Sequence, residues 1–232
     1  MLRYPLLRLG KEGMKFSGHL AGQLLSTGLS MGFMSCLVNI GSVSLQSGIN
    51  SLGKTYIVAQ TAARKLSEIF MMMFSVLGQT MATYCSQNYG AGEYKRIRTG
   101  LKESMIIGVV WCSLVALSAY TIAPAMMRFV CSGISDTSLH AASLYLKIDT
   151  LLYVVTLVIC VFRNALQGLG DPVTPVVSSS IECVGKILIV ALLVPRLQYM
   201  GVILAEPIVW CLMVLPLVIR LLRHPAIAKR QE

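Results

Sequence analysis

Three stretches of the chain hold no Asp, Glu, Lys or Arg: residues 16–53, 69–92 and 104–127. Each is longer than the roughly 18–20 residues that cross a bilayer as a helix. Around and after them, apolar runs alternate with short segments where Gly, Pro and charge gather. The pattern predicts six membrane-spanning helices, at residues 16–46, 57–89, 104–127, 139–166, 174–194 and 201–222. Residues 1–15 read as a basic, amphipathic lead-in at the cytosolic interface, and 223–232 as a cytosolic tail. The expected fold class is an all-α integral membrane protein, a six-helix bundle.

The spans differ in character. The first is rich in Gly and Ser and carries Gln23 and Asn39. Small and hydroxyl residues let membrane helices approach closely and bond to one another. With Gln79 and Thr83 of the second span, these amides either line a central cavity or bond between helices. Arg64 and Glu68, one turn apart, read as an exposed ion pair. The Met71–Met73 run reads as packing. The third span is the most lipid-like, with Trp111 and Tyr120 as interface anchors, and 128–140 as a short exterior loop. Tyr145, Lys147 and Asp149 fall near the outer end of the fourth span and read as a solvated helix start.

The most informative segment joins the fourth and fifth spans, RNALQGLGDPVTP over 163–175. Gly168 and Gly170 can take positive φ and stop a helix. Pro172 cannot donate a helical hydrogen bond, and Pro175 suits a first turn. Arg163 reads as a residue whose head snorkels or bonds carbonyls at the turn, and Gln167 as structural. The segment acts as a hinge that aims the fifth helix.

That helix carries Glu182 and Lys186, four apart on one face with Glu first, the favourable order for an ion pair. Ionisable groups at membrane depth are costly and mark functional sites by default. A cation or proton site at Glu182, tuned by Lys186, and a purely structural pair carry equal weight. Glu206 precedes Pro207, which kinks its helix and exposes polar backbone. It is either a cation site or an interface residue near the outer face, and the second reading is preferred.

Composition agrees with the pattern: 55% of residues are hydrophobic and 13% charged, against about 25% charged in soluble domains. The net charge of +10 follows the positive-inside rule rather than nucleic-acid binding. With both termini inside, thirteen of the twenty Lys and Arg fall on the inner face. This predicts cytosolic termini in a plasma (inner) membrane. The seven cysteines are scattered without a CxxC, and the three histidines stand far apart. No metal site, cofactor or enzymatic constellation is expected. There is no Walker A motif to suggest an ATP-driven pump, and QNYGAG at 87–92 reads as a helix stop.

In the order QNYGAGEYKRIRTG, RNALQGLGDPVTP, SSSIECVGK and GVILAEPIVW, the chain resembles the multidrug and toxic compound extrusion (MATE) family. It is similar to the C-terminal half, helices seven to twelve of twelve. The resemblance implies two six-helix lobes related by pseudo-twofold symmetry, and export of small organic cations in exchange for H+ or Na+. An N-terminal six-helix lobe, or a second copy of the chain, is the expected partner besides the lipid bilayer. The family's acidic coupling positions are not matched: the seventh-like helix has no acid, and the mid-tenth position falls near Thr156. A fragment or split product is therefore expected. The alternatives are a non-transporting fragment and a lipid-precursor flippase. The flippase is disfavoured because the spans offer Lys186 as the main cation for phosphates.

Overall fold

The computed structural model describes residues 17–131 and 133–228, apart from the Gln23 side chain. The lead-in read at 1–15 and the end of the tail lie outside the described residues. Among these, every element is helical: α1 (Gly18–Ser51), α2 (Lys54–Gly90), α3 (Tyr94–Thr121), α4 (Ala123–Val130) and α5 (Asp136–Leu151), then α6 (Tyr153–Gly168), α7 (Val173–Leu192), α8 (Val194–Leu197), α9 (Tyr199–Arg223) and α10 (Pro225–Ala228). Five are long and apolar enough to cross a membrane, and α5 with α6 makes a sixth span, bent by 55°.

Three boundaries differ from the sequence reading. The third span begins at Tyr94 rather than near residue 104, so Lys95, Arg96, Arg98 and Lys102 ride on the helix itself. Lys and Arg are good helix formers with stems that reach to the interface, so their charge does not mark a helix start. The segment read as a loop at 128–140 is largely helical: α4 runs to Val130 and α5 starts at Asp136, where Ser135 caps it by accepting from the Ser138 amide at 3.3 Å. The fourth span is not one straight helix. It breaks at Leu152, whose amide turns back to Asp149 and Thr150.

The 163–175 turn is built differently from expectation in one detail. Gly168 stays helical, and Gly170 alone in this turn has positive φ, 84°. The Asp171 amide then bonds the Leu166 carbonyl at 2.9 Å, closing the helix end. Gly168 serves close approach instead: a Cβ there would lie 2.3 Å from the Ala82 carbonyl oxygen. Pro172 precedes α7, and Pro175 sits in its first turn.

The bundle is held by three main pairings, α1 on α7, α2 on α6, and α7 on α9. Phe74 of α2 meets Tyr153 of α6 edge-on, with ring centroids 5.8 Å apart. Trp111 is no simple interface anchor, since its Nε1 donates to the Phe70 carbonyl at 2.9 Å and ties α3 to α2. At one end of the bundle Tyr89 packs on His224 and Arg98 reaches the Ala226 carbonyl. At the other, Tyr56 stacks on Tyr199, whose hydroxyl donates to Gln60 at 3.0 Å. The outward faces are apolar: Leu24, Leu29 and Val43 of α1, Met72 of α2 and Leu117 of α3 are all exposed. That is the surface of a protein whose surroundings are hydrocarbon.

Candidate functional site

Helices α1, α2, α5, α6, α7 and α9 enclose a cavity of about 360 Å³. Glycine lets α1 close it. A Cβ at Gly41 would meet Cys183 Cα and Lys186 Cδ, each at 3.2 Å, so bare backbone of α1 lies on the stem of Lys186.

Five of the acidic and basic side chains on its wall stand in alternating order. Arg64 Nη2 lies 3.9 Å from Glu206 Oε1. Glu206 Oε1 is 4.0 Å from Lys186 Nζ. Lys186 donates to Glu182 Oε1 at 2.9 Å, and Glu182 Oε2 stands 3.6 Å from Arg163 Nη2. The chain runs plus, minus, plus, minus, plus across α2, α9, α7 and α6. Its centre is the driest part, since the Lys186 side chain is 4% exposed and that of Glu182 9%. Charges so far from water persist only when paired. Tyr145 of α5 donates its hydroxyl to Glu206 Oε2.

Of the residues singled out from the sequence, Glu182, Lys186 and Glu206 come together here. Three readings are corrected. Glu206 is not an interface residue: α7 and α9 pack face to face, which turns its carboxylate inward to Lys186 and Tyr145. Arg163 does not snorkel out to the turn; its head bends into the cavity toward Glu182. Arg64 does not pair with Glu68. Its partner is Glu206 on a helix 142 residues away in sequence, while Glu68 lines the same cavity without an ion-pair partner among the described residues.

Asp149 is a fourth correction. It is buried, not solvated, because α5 starts as early as Asp136 and carries Asp149 deep into the bundle before the bend. Its Oδ2 accepts from Ser67 Oγ at 3.4 Å, and its Oδ1 has no hydrogen-bond partner. Thr156, just past the bend, lines the cavity with its hydroxyl equally unpartnered. Sequence reasoning missed Arg64 as a site residue and Asp149 as a buried acid. Their depth within apolar spans was the available signal.

The remaining amides lie elsewhere. Asn39 is exposed on α1 and donates to its own Ser35 carbonyl at 2.9 Å. Gln79 is exposed on α2 and donates to Ser75 at 3.2 Å. Gln167 reaches Met34 Sδ at 3.6 Å, joining α6 to α1.

Below the cavity, Asp171 organises the α6–α7 turn. Its Oδ1 accepts from the amides of Val173 and Thr174, both at 3.1 Å, and its Oδ2 from Arg220 Nε at 2.6 Å. Burial pushes this carboxyl up, but the Arg220 and Thr174 hydrogen bonds outweigh it and hold it below the usual carboxylate value of 3.8.

A bundle with five helices long and apolar enough to cross a membrane, and the bent α5–α6 pair as a sixth span, around a charge-lined cavity is the fold of a multi-pass membrane protein. The chain belongs to the MatE family, whose family model matches residues 30–192. No curated protein matches it. Among solved structures it is similar to a MOP superfamily transporter from Pyrococcus furiosus, described as having a binding pocket of reverse polarity. There the identity is 13% and the TM-score 0.77, over 87% of this chain and 44% of that one. It is also similar to the outward-facing conformation of a multidrug resistance MATE family transporter, at 13% identity and TM-score 0.77 over 87% and 45%. A MATE in complex with MaD5 gives 12% identity and TM-score 0.77 over 90% and 47%. The chain thus spans less than half the length of these structures, and the likeness is one of fold.

Proposed function

We propose that this chain is one six-helix lobe of a secondary antiporter. It exports small organic cations across the plasma membrane in exchange for H+ or Na+, with both termini cytosolic. A second six-helix lobe, or a second copy of the chain, completes it. The observation that carries this reading is the alternating chain of Arg64, Glu206, Lys186, Glu182 and Arg163 at membrane depth. Lys186 is shared by two carboxylates on different helices. A cation or proton arriving at either Glu206 or Glu182 competes with Lys186 and shifts it toward the other. One binding event then alters the pairing of α7 with α9, which is how a bound ion can bias the packing of a lobe. The gathering of Lys and Arg at the start of α3 and the end of α9 supports the cytosolic assignment.

The test is ethidium efflux from a pump-deficient host. The chain is expressed alone and beside a six-helix N-terminal lobe. Efflux restored with both, and lost on Glu206→Gln, supports the reading. No efflux in either case, with inserted and stable protein, overturns it in favour of a non-transporting fragment.

A second reading, a flippase for lipid-linked precursors, is favoured by one observation. Lys186 is not the lone deep cation, since Arg64 and Arg163 share its cavity. Translocation of a fluorescent lipid phosphate in vesicles, without ethidium efflux, would select it.

A further inference from the structure

Away from the central cavity, a groove of about 400 Å³ opens where α7 begins and α9 ends. Val173 and Val177, one turn apart, form its α7 wall, and Pro216 and Ile219 its apolar α9 wall. Val173, Val177 and Ile219 are exposed. On α9, Pro216, Ile219, Arg220 and Arg223 follow the i, i+3, i+4, i+7 spacing of one helix face. That face passes from apolar to basic within two turns, about 11 Å. One turn before Pro216, the Met213 carbonyl accepts from Ser178 Oγ at 2.9 Å, which stitches α7 to α9, and the groove stops short of this contact.

The two guanidiniums at the mouth of the groove differ. Arg220 gives its Nε to Asp171 at 2.6 Å, so its charge is largely offset, yet its side chain is 53% exposed. Asp171 also accepts from the Val173 and Thr174 amides, so the start of α7 is filled by the protein's own carboxylate. Arg223 stands exposed in the last turn of α9 with no ion pair among the described residues. Val173 and Val177 also wall a second groove, of about 370 Å³, against Leu29 and Phe33 of α1, and no charged side chain lines that one. The α7–α9 groove is thus set apart by its cations: it offers an apolar channel that ends in net positive charge.

We propose that this groove holds an anionic phospholipid of the surrounding bilayer. One acyl chain lies along Val173, Val177, Pro216 and Ile219, and the phosphate sits at Arg223 and the exposed edge of Arg220. Basic pockets between membrane helices suit such headgroups, and guanidinium is the side-chain group that matches phosphate best. The site is separate from the central cavity and does not depend on what the lobe transports. A lipid held across both helices braces the α7–α9 pairing that brings Lys186 to Glu206.

The test uses dioleoyl phosphatidylglycerol and dioleoyl phosphatidylcholine, matched in their chains and differing in net charge. Each is titrated into the purified full chain in detergent and bound lipid is counted by native mass spectrometry. The anionic lipid is expected to bind about fivefold more tightly, the scale of one basic side chain near an anionic lipid. In Arg223→Gln the preference falls to about one. In Lys95→Gln, which removes an exposed charge at the start of α3 outside the groove, it stays near fivefold. Ile219→Trp fills the groove, leaves the charges in place and weakens the anionic lipid several-fold. Melting of each variant checks its fold, and if Arg223→Gln does not fold, Ile219→Trp decides. Equal binding of the two lipids, an equal fall in Lys95→Gln and Arg223→Gln, or unchanged binding in Ile219→Trp overturns the groove as a lipid site. Glycerophosphoglycerol, the same head without chains, is expected not to displace the lipid at equal concentration. Displacement by it assigns the guanidiniums to a free phosphate and overturns the lipid as occupant.

Discussion

Lys186 on α7 and Glu206 on α9 meet at 4.0 Å across one of the three main helix pairings of the bundle, and the same ammonium holds Glu182 at 2.9 Å. One buried cation thus serves carboxylates on two helices. Removing it leaves Glu182 with Arg163 at 3.6 Å, and Glu206 with Arg64 at 3.9 Å and the Tyr145 hydroxyl. Lys186→Met is expected to destabilise the lobe by about 3 kcal/mol. The double variant Glu182→Gln with Lys186→Met loses less than the sum of the two single variants, because neither leaves the other's charge stranded. Chemical unfolding of the purified chain in detergent measures both.

Tyr145 reaches Glu206 from α5, the first half of the bent span. Tyr145→Phe keeps the ring and removes the donor. The expected loss is about 1.5–3 kcal/mol, the range for a hydrogen bond to a charged group. In a Glu206→Gln background the same change costs less. Equal cost in both backgrounds would show that the two residues act independently.

Asp171 gives the fold an acid-sensitive joint. Its carboxyl is held below 3.8 in the folded state, so the unfolded chain binds its proton more readily. The stability it contributes is present at neutral pH, above the unfolded value, and is lost as pH falls through the folded value. Asp171→Asn therefore lowers the melting temperature near neutral pH, and the gap from the parent closes as pH drops toward about 3. A gap that stays constant over that range would contradict the assignment.

Glycines separate into contacts and spacers. At Gly168 a methyl would meet the Ala82 carbonyl oxygen at 2.3 Å, backbone against backbone. Gly168→Ala is expected to cost 2 kcal/mol or more, about what overpacking costs in a tight core. Gly22 on α1 has nothing within 4 Å. Gly22→Ala is expected to be neutral or to stabilise by up to about 1 kcal/mol through helix propensity. The two melting curves, run side by side, test the α2–α6 approach.

The spans were legible because a bilayer demands long apolar runs, and six of them leave few other folds. The pairing of Glu182 with Lys186 was legible too, since four residues on one helix make neighbours. What the sequence concealed were relations across helices. Arg64 has Glu68 one turn away, so the local rule proposes that partner, and only the cavity that α2 and α9 both line reveals Glu206. Arg163 looked like part of a turn because it precedes one. The direction in which its side chain leaves α6 is what sends it inward. Asp149 was misplaced for a third reason: the bend at Leu152 and the early Ser135 cap shift its depth, and neither leaves a mark in an apolar pattern.

Gly41 sets a limit on how the lobe can breathe. The α1 backbone already rests on the Lys186 stem, where a methyl group would sit 3.2 Å from Lys186 Cδ and from Cys183 Cα. Travel of α1 toward α7 is blocked, and travel away is not. The contact therefore works as a one-sided stop: α1 can only withdraw, and each withdrawal loosens the hold on the ammonium that both carboxylates share. The position of α1 and the allegiance of Lys186 become two gauges of a single movement.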